Sequence, residues 1–271
     1  MGTVAQTNVA SLNAQRNLFR TNNQLSTSFQ RLASGFRINS AKDDAAGLVI
    51  SNQLSAQIVS LNVAVRNAND GISVAQTAEG ALQEVTNLLL RGREIAMSAA
   101  SGQNSTDART ALNAEYTAIG AEITRISSDT EFGGQTLLDA ANTFAIQVGK
   151  DSGDTISFTT VDVSAVGTAI TGGALDTTAN ASTALGVLDT QLAAIDTARG
   201  NLGAAQNRLS ATVSNLQNVV ENVSASRSRI RDADFATETA NLAKIQILQQ
   251  AGLSVLAQAN ASNQSILSLL Q

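Results

Sequence analysis

From residue 185 to residue 223 apolar side chains recur at alternating steps of three and four. The run is Leu185, Leu188, Leu192, Ile195, Arg199, Leu202, Gln206, Leu209, Val213, Leu216, Val220 and Val223, and only Arg199 and Gln206 are polar. A period of 3.5 held this long keeps one stripe turned toward a partner helix. It predicts a coiled-coil helix about 60 Å long at ~1.5 Å per residue. A second run, Ile58, Leu61, Val65, Ala68, Ile72, Ala75, Leu82 and Leu89, has the same spacing with a polar skip at Glu79. Leu112, Tyr116, Ile119, Ile123 and Ile126 predict a shorter third helix of this type. The chain of 271 residues has no proline, so nothing interrupts helices of this length.

Both ends are amphipathic. Leu18, Leu25 and Leu32 are spaced by seven, with Phe29 and Phe36 at the +4 positions, which predicts one apolar stripe on a helix of about four heptads. In "RINSAKDD", Ser40 and Asp43 fit a capping box, and Asp43 and Asp44 suit the positive end of a following helix. At the other end no side chain from Ile245 to Gln271 is charged, yet Leu253, Leu256, Leu267, Leu269 and Leu270 keep the segment apolar. Burying each such side chain is worth about 1.5–3 kcal/mol. One partner helix covers one side only, so the remaining surface is expected to meet other copies of the chain. Residues 1–42 hold Arg16, Arg20, Arg31, Arg37 and Lys42 and no acid, whereas Asp232, Asp234 and Glu238 open the last segment, so the two ends are expected to pair.

The middle differs. "DTEFGGQ" reads as a turn, and Phe144, Ile146 and Val148 alternate, as do Ile156 and Phe158 across "KDSGD", a hairpin pattern. "AVGTAITGGALDTTANAS" reads as an exposed loop or weak strand, with helix resuming near Ser182. The fold class expected is mainly α: nested antiparallel coiled-coil helices with terminal amphipathic helices and a small β-hairpin region. The expected domains are a discontinuous terminal-helix domain, 1–45 with 229–271, and a rod domain, 46–228, with its β-region at about 129–180.

The composition narrows the chemistry. With no histidine and no cysteine, imidazole-based catalysis, thiol chemistry and zinc sites with those ligands are excluded. "AKDD" reads as helix-start chemistry, since adjacent residues on a helix do not face one ligand. Carboxylate-only or lysine-based chemistry stays open by composition, but no catalytic residue, cofactor or metal site is expected. A net charge of −5 argues against binding nucleic acid through its phosphates. No unbroken run of eighteen apolar residues occurs, so no membrane insertion is expected, and the N-terminal stretch lacks the pattern of a cleaved Sec signal.

"NVASLNAQRNL…LSTSFQRLASGFRINSAKDDAAGLVIS" resembles the N-terminal signature of bacterial flagellins. "AAQNRLSATVSNLQNVVENVSASRSRIRDADFATETANLAKIQILQQAGLSVLAQANASNQSILSLLQ" resembles their C-terminal signature. The resemblance implies a subunit of the flagellar filament, outside the cell, that polymerises with many copies of itself. Its partners would be a flagellar export chaperone, the secretion apparatus, and hook-associated and cap proteins. The alternative it leaves open is a hook–filament junction protein. The short middle implies that the bulky outer domains of larger flagellins are reduced. Leu18, Leu25, Leu32, Leu253, Leu256, Leu267, Leu269 and Leu270 would serve self-assembly. "LLLRGREIAMS" is similar to the surface read by the flagellin-sensing Toll-like receptor, with Leu90, Arg91, Glu94, Ile95 and, on the neighbouring helix, Glu115 as contacts. Leu90, where the family usually has Gln, and Gly92, where it usually has an aliphatic residue, depart from the pattern there.

Overall fold

The structure, a computed structural model, describes residues 7–268, with side chains as far as Ser262. Six helices and two short strand pairs follow in the order α1 (Val9–Ser34), α2 (Ala45–Ala99), α3 (Thr106–Asp129), β1 (Glu131–Phe132), β2 (Gln135–Thr136), β3 (Thr143–Gln147), β4 (Thr155–Thr159), α4 (Val163–Thr171), α5 (Thr178–Arg231) and α6 (Phe235–Ser268). The chain divides into two compact units, Met1–Ala56 with Asn222–Gln271, and Gln57–Glu221. The divisions fall inside α2 and inside α5 rather than at the 45/46 and 228/229 positions read from the sequence.

The unit 57–221 is built on the heptad runs. Ala68, Ala75, Leu82 and Leu89 of α2 and Leu188, Ile195, Leu202 and Leu209 of α5 are buried in one apolar cluster with Tyr116, Ile119 and Ile123 of α3. α2 and α5 run antiparallel, since Arg93 Nε donates to Asp189 Oδ1 at 2.8 Å and Gln206 Nε2 to Glu79 Oε2 at 2.8 Å. The second bond explains two of the polar skips: Glu79 and Gln206 interrupt their stripes at one level and satisfy each other. Arg199 is half-buried at the same seam.

The hairpin forms as its alternation predicts. β3 and β4 pair antiparallel, with Phe144 opposite Phe158 and Ile146 opposite Ile156, and the two phenyl rings stack with centroids 5.5 Å apart. Ile146 lies so close to α2 that a Cβ at Gly71 would sit 2.8 Å from it, so glycine is required there for the ladder to seat. The "EFGGQ" turn is a tight reversal in which Gly133 and Gly134 both adopt positive φ, at 61° and 81°.

Residues 163–171 correct the sequence reading. They form α4 rather than a loop or weak strand, capped by Asp162, whose side chain accepts from Ala165 N at 3.0 Å. Val163, Val166 and Ile170 are buried at helical spacing, and Leu175 follows them into the core. α4 crosses α3 where Gly167 meets the backbone of Gly120, so small residues permit the contact. α5 begins at Thr178, a turn earlier than Ser182.

α2 also qualifies the membrane expectation: one stretch of it is long and apolar enough to cross a membrane by length and composition alone. Valines, isoleucines and leucines make up half of residues 48–65 despite Asn52, Gln53, Gln57 and Asn62. Val49 and Ile50 in one unit, and Val59 and Val63 in the other, are exposed.

Candidate assembly surface

The terminal unit is organised by two linkers that hold each other. α1 starts at Asn8, whose side chain accepts from Ser11 N at 3.0 Å, and stops at Gly35, left-handed at φ 72°, whose N–H donates to Arg31 O. The chain then pairs with the turn between α5 and α6. Arg37 N donates to Arg231 O at 2.7 Å, Ala233 N to Gly35 O at 2.9 Å, and the Arg231 guanidinium lies 4.1 Å above the Phe36 ring. Ile38 is buried beneath this crossing. Phe36 thus lies past the end of α1 and does not continue its stripe.

Carboxylates fix the starts of the next helices. Asp43 Oδ2 accepts from Ser40 N at 2.9 Å, Ser40 Oγ at 3.0 Å and Asn39 N at 3.2 Å, and these bonds hold its carboxyl below its ordinary range. The cap of α2 is Asp44, which accepts from Gly47 N at 2.9 Å, so Ser40 and Asp43 close the preceding turn instead of capping the helix. Asp234 does the same work for α6, accepting from Thr237 Oγ1 and from the N–H groups of Thr237 and Ala236, and its carboxyl is likewise lowered.

α1 and α6 then lie side by side, antiparallel. Asn8 Nδ2 donates to Ala259 O at 3.0 Å, Gln249 Nε2 to Asn22 Oδ1 at 2.9 Å, and Arg31 stands 3.9 Å from Glu238. Leu18 presses against Gly252, where a Cβ would come within 2.9 Å of its Cδ2. Leu25 and Leu32, one and two heptads on, are half-buried on the same face, and Leu256 is half-buried on α6. The seam is open toward one end, where Arg20, Arg31, Glu238 and Lys244 line a groove of about 540 Å³.

This arrangement reassigns the sequence-derived residues. Leu18, Leu25 and Leu32 occupy the seam within the chain, so their stripe is partly spent before any second copy arrives. Leu253 faces out. Leu269 and Leu270 lie outside the described residues, as does the side chain of Leu267. Phe29, read as part of the Leu18–Leu25–Leu32 stripe, is exposed, and a larger apolar surface was missed: Leu12 and Phe19 on α1, and Ile247, Leu248 and Val255 on α6, are exposed, Phe19 at 70% and Ile247 at 66%. A signal was present, because Leu12–Phe19 and Leu248–Val255 are each spaced by seven, a second stripe on each helix. A helix apolar on two faces has more to bury than one partner helix provides.

The second candidate surface is in the other unit. Arg91 bridges Glu115 at 2.8 Å and Glu94 at 3.0 Å, and these carboxylates, Glu115 foremost, raise its guanidinium above the ordinary value. Leu90 is exposed beside it. Ile95 is a correction: at 2% exposure it packs in the core and has no surface to offer a receptor. Gly92 faces inward, its missing Cβ 3.6 Å from Tyr116 and 3.7 Å from Leu188.

Comparison with known proteins gives these surfaces a family. Residues 5–143 match the bacterial flagellin N-terminal helical region and residues 185–270 the bacterial flagellin C-terminal helical region. The chain is 45% identical over 267 residues to a flagellin of Halalkalibacterium halodurans, covering 97% of this chain and 98% of that one. It is 57% identical over 166 residues to the B-type flagellin of Pseudomonas aeruginosa, covering 61% of this chain and 34% of that protein, so it spans about a third of that relative's length. The crystal structure of Bacillus cereus flagellin superposes with a TM-score of 0.50 at 32% identity, over 56% of this chain and 88% of that one. The chain belongs to the bacterial flagellins, the family of structural proteins that polymerise into the extracellular flagellar filament.

Proposed function

We propose that this chain is a filament subunit whose polymerisation is driven by the outward faces of α1 and α6. The observation that carries this reading is the set of exposed apolar side chains on both terminal helices, Leu12, Phe19, Ile247, Leu248, Leu253 and Val255. Leu256 closes the intrachain seam, and Leu267, Leu269 and Leu270, later in the sequence, serve the same polymerisation. The chain acts through packing and performs no catalysis. Before assembly the same uncharged α6 surface is the seat of an export chaperone that delivers the chain to the secretion apparatus. Hook-associated and cap proteins engage the two ends of the polymer. Leu90, Arg91, Glu94 and Glu115 form the patch for the flagellin-sensing Toll-like receptor, with Ile95 holding it from beneath.

Seeded polymerisation of the purified chain followed by electron microscopy tests the assembly reading. Long tubes are expected. A junction protein of the hook-associated kind gives short caps or none, and that result overturns the reading.

A further inference from the structure

The two units of this chain carry opposite charge. The terminal unit has nine Lys and Arg against five Asp and Glu, a net of +4, and the 57–221 unit has eight against seventeen, a net of −9. Local pairing deepens the split. In the terminal unit Asp43, Asp44 and Asp234 accept hydrogen bonds in turns and caps, and Glu238 is buried near Arg31. Arg37, Lys42 and Arg229 are exposed and form no ion pair among the described residues. In the 57–221 unit Arg91, Arg93, Arg125 and Lys150 are already paired with carboxylates. Asp70 and Glu84 are exposed on α2 with no cation against them among the described residues. They stand two heptads apart, and Arg91 follows seven residues later, its charge outweighed by Glu94 and Glu115. From Asp70 to Glu94 this line of α2 therefore carries a net negative charge.

We propose that the basic surface of Arg37, Lys42 and Arg229 on one copy docks against the acidic α2 ridge of Asp70 and Glu84 on a second copy. The proposal rests on the filament reading and specifies its contact. The occupant is argued from charge complementarity: like units of two copies repel, whereas unlike units attract, and the chain itself supplies both signs. A contact between different surfaces of identical chains is heterologous and propagates without closing, as a helical polymer requires. Apolar faces supply adhesion, and the charge pattern supplies register and direction.

The test is seeded elongation of the full chain, read by light scattering and microscopy, in sodium chloride from about 50 to 300 mM, where the Debye length shortens from ~14 to ~6 Å. Elongation of the unmutated chain should slow by about tenfold across that range. Lys42→Glu with Arg229→Glu, and separately Asp70→Lys with Glu84→Lys, should each slow elongation by a similar factor. The four substitutions in one chain should restore it, because the signs are exchanged together. Elongation that is indifferent to salt, or a fourfold variant slower than both doubles, overturns the proposal while leaving the filament reading intact. Failure of the unmutated chain to elongate at any salt sinks the filament reading itself. Retention of the unmutated chain on short duplex DNA, lost in Lys42→Glu with Arg229→Glu while elongation is unchanged, would assign the basic surface to a polyanion and overturn the proposal.

Discussion

The two units solve the burial problem in opposite ways. In the 57–221 unit, Leu82, Leu89, Tyr116, Ile123, Leu188, Ile195 and Leu202 all fall to 2% exposure or less without any other chain. In the terminal unit Ile38 alone of the described apolar residues reaches 2%, Ala14 follows at 7%, and Phe19, Ile247 and Val255 face out. Both units are helical, so secondary structure does not distinguish them. Four helices and a hairpin close a core around one seam. Two helices side by side leave each other half covered. Isolated helix pairs gain little from propensity and depend on packing for stability. On the assembly reading proposed above, the difference separates folding from assembly: one unit is complete within the chain, and the other is completed by neighbouring copies.

The largest expected effect comes from charging the uncovered face. Leu253→Asp with Val255→Asp should abolish polymerisation, since each apolar side chain buried at a subunit contact is worth about 1.5–3 kcal/mol and the carboxylates would be buried without partners. The same outcome is expected for Leu267→Asp with Leu270→Asp. In both cases the 57–221 unit should stay folded, and Tyr116, the sole tyrosine, fully buried there, reports it in the near-ultraviolet spectrum. Normal filaments from either double variant would remove the contrast between the units.

A pair of single substitutions comes next. Leu202→Ala deletes a fully buried side chain and should destabilise the monomer by about 2–5 kcal/mol. Phe19→Ala removes a larger side chain that is mostly exposed and should change monomer stability by less than about 0.5 kcal/mol, while raising the concentration needed for assembly. Denaturant melts and seeded elongation measure the two quantities. Hydrogen exchange on the monomer should follow the same division, with slow exchange between residues 58 and 223 and fast exchange in α1 and α6 until they are buried in filaments. Equal protection in both units would show that the terminal pair is stable by itself.

The sequence revealed the closed unit more clearly than the open one. Its heptad runs announce their partner because a stripe with period 3.5 has one buried side, and even its polar skips proved paired at Glu79 and Gln206. The hairpin was legible because Phe144, Ile146, Ile156 and Phe158 alternate. α4 was not: Gly167, Thr168, Gly172 and Gly173 dilute its pattern, and its three buried residues matter only because Gly120 lets it approach. In the terminal unit the stripe Leu18–Leu25–Leu32 was legible as a stripe, but its destination was not. Leu12–Phe19 and Leu248–Val255 compete with it on the same helices, and periodicity alone does not say which face a chain covers first.

Acid should loosen the terminal unit through one turn and one helix cap. Asp43 and Asp234 have carboxyls lowered by hydrogen bonds that exist only in the folded state. Their contribution is therefore present above the ordinary value of 3.8 and is lost as pH falls through their lower folded values. Helix content of filaments titrated below pH 3.8 should fall first in the terminal helices, monitored by residue-resolved exchange. Asp43→Asn should weaken the turn at neutral pH and flatten that acid dependence. An unchanged acid profile in this variant would show that the turn contributes nothing to the order of the terminal unit.

The smallest effect on the molecule itself is expected at Arg91. Its ion pairs with Glu94 and Glu115 are exposed, and such pairs add little because water screens them and two long side chains must be held still. Arg91→Ala should leave the melting temperature of the 57–221 unit and the yield of filaments unchanged. It should nevertheless lower Toll-like receptor signalling by monomer, because the planar guanidinium is the patch's one outward cation and its donors are fixed in place by two carboxylates. Ile95→Ala should do the reverse, weakening the core around Leu89 and Tyr116 while presenting the receptor with the same exposed side chains. Signalling that survives Arg91→Ala but fails with Ile95→Ala, at temperatures where both variants are folded, would move recognition from the exposed patch to the backbone of α2. If the unmutated monomer gives no signal at all, the side chain of Leu90 and the missing one at Gly92 have already removed the site, and Leu90→Gln is the substitution that should begin to restore it.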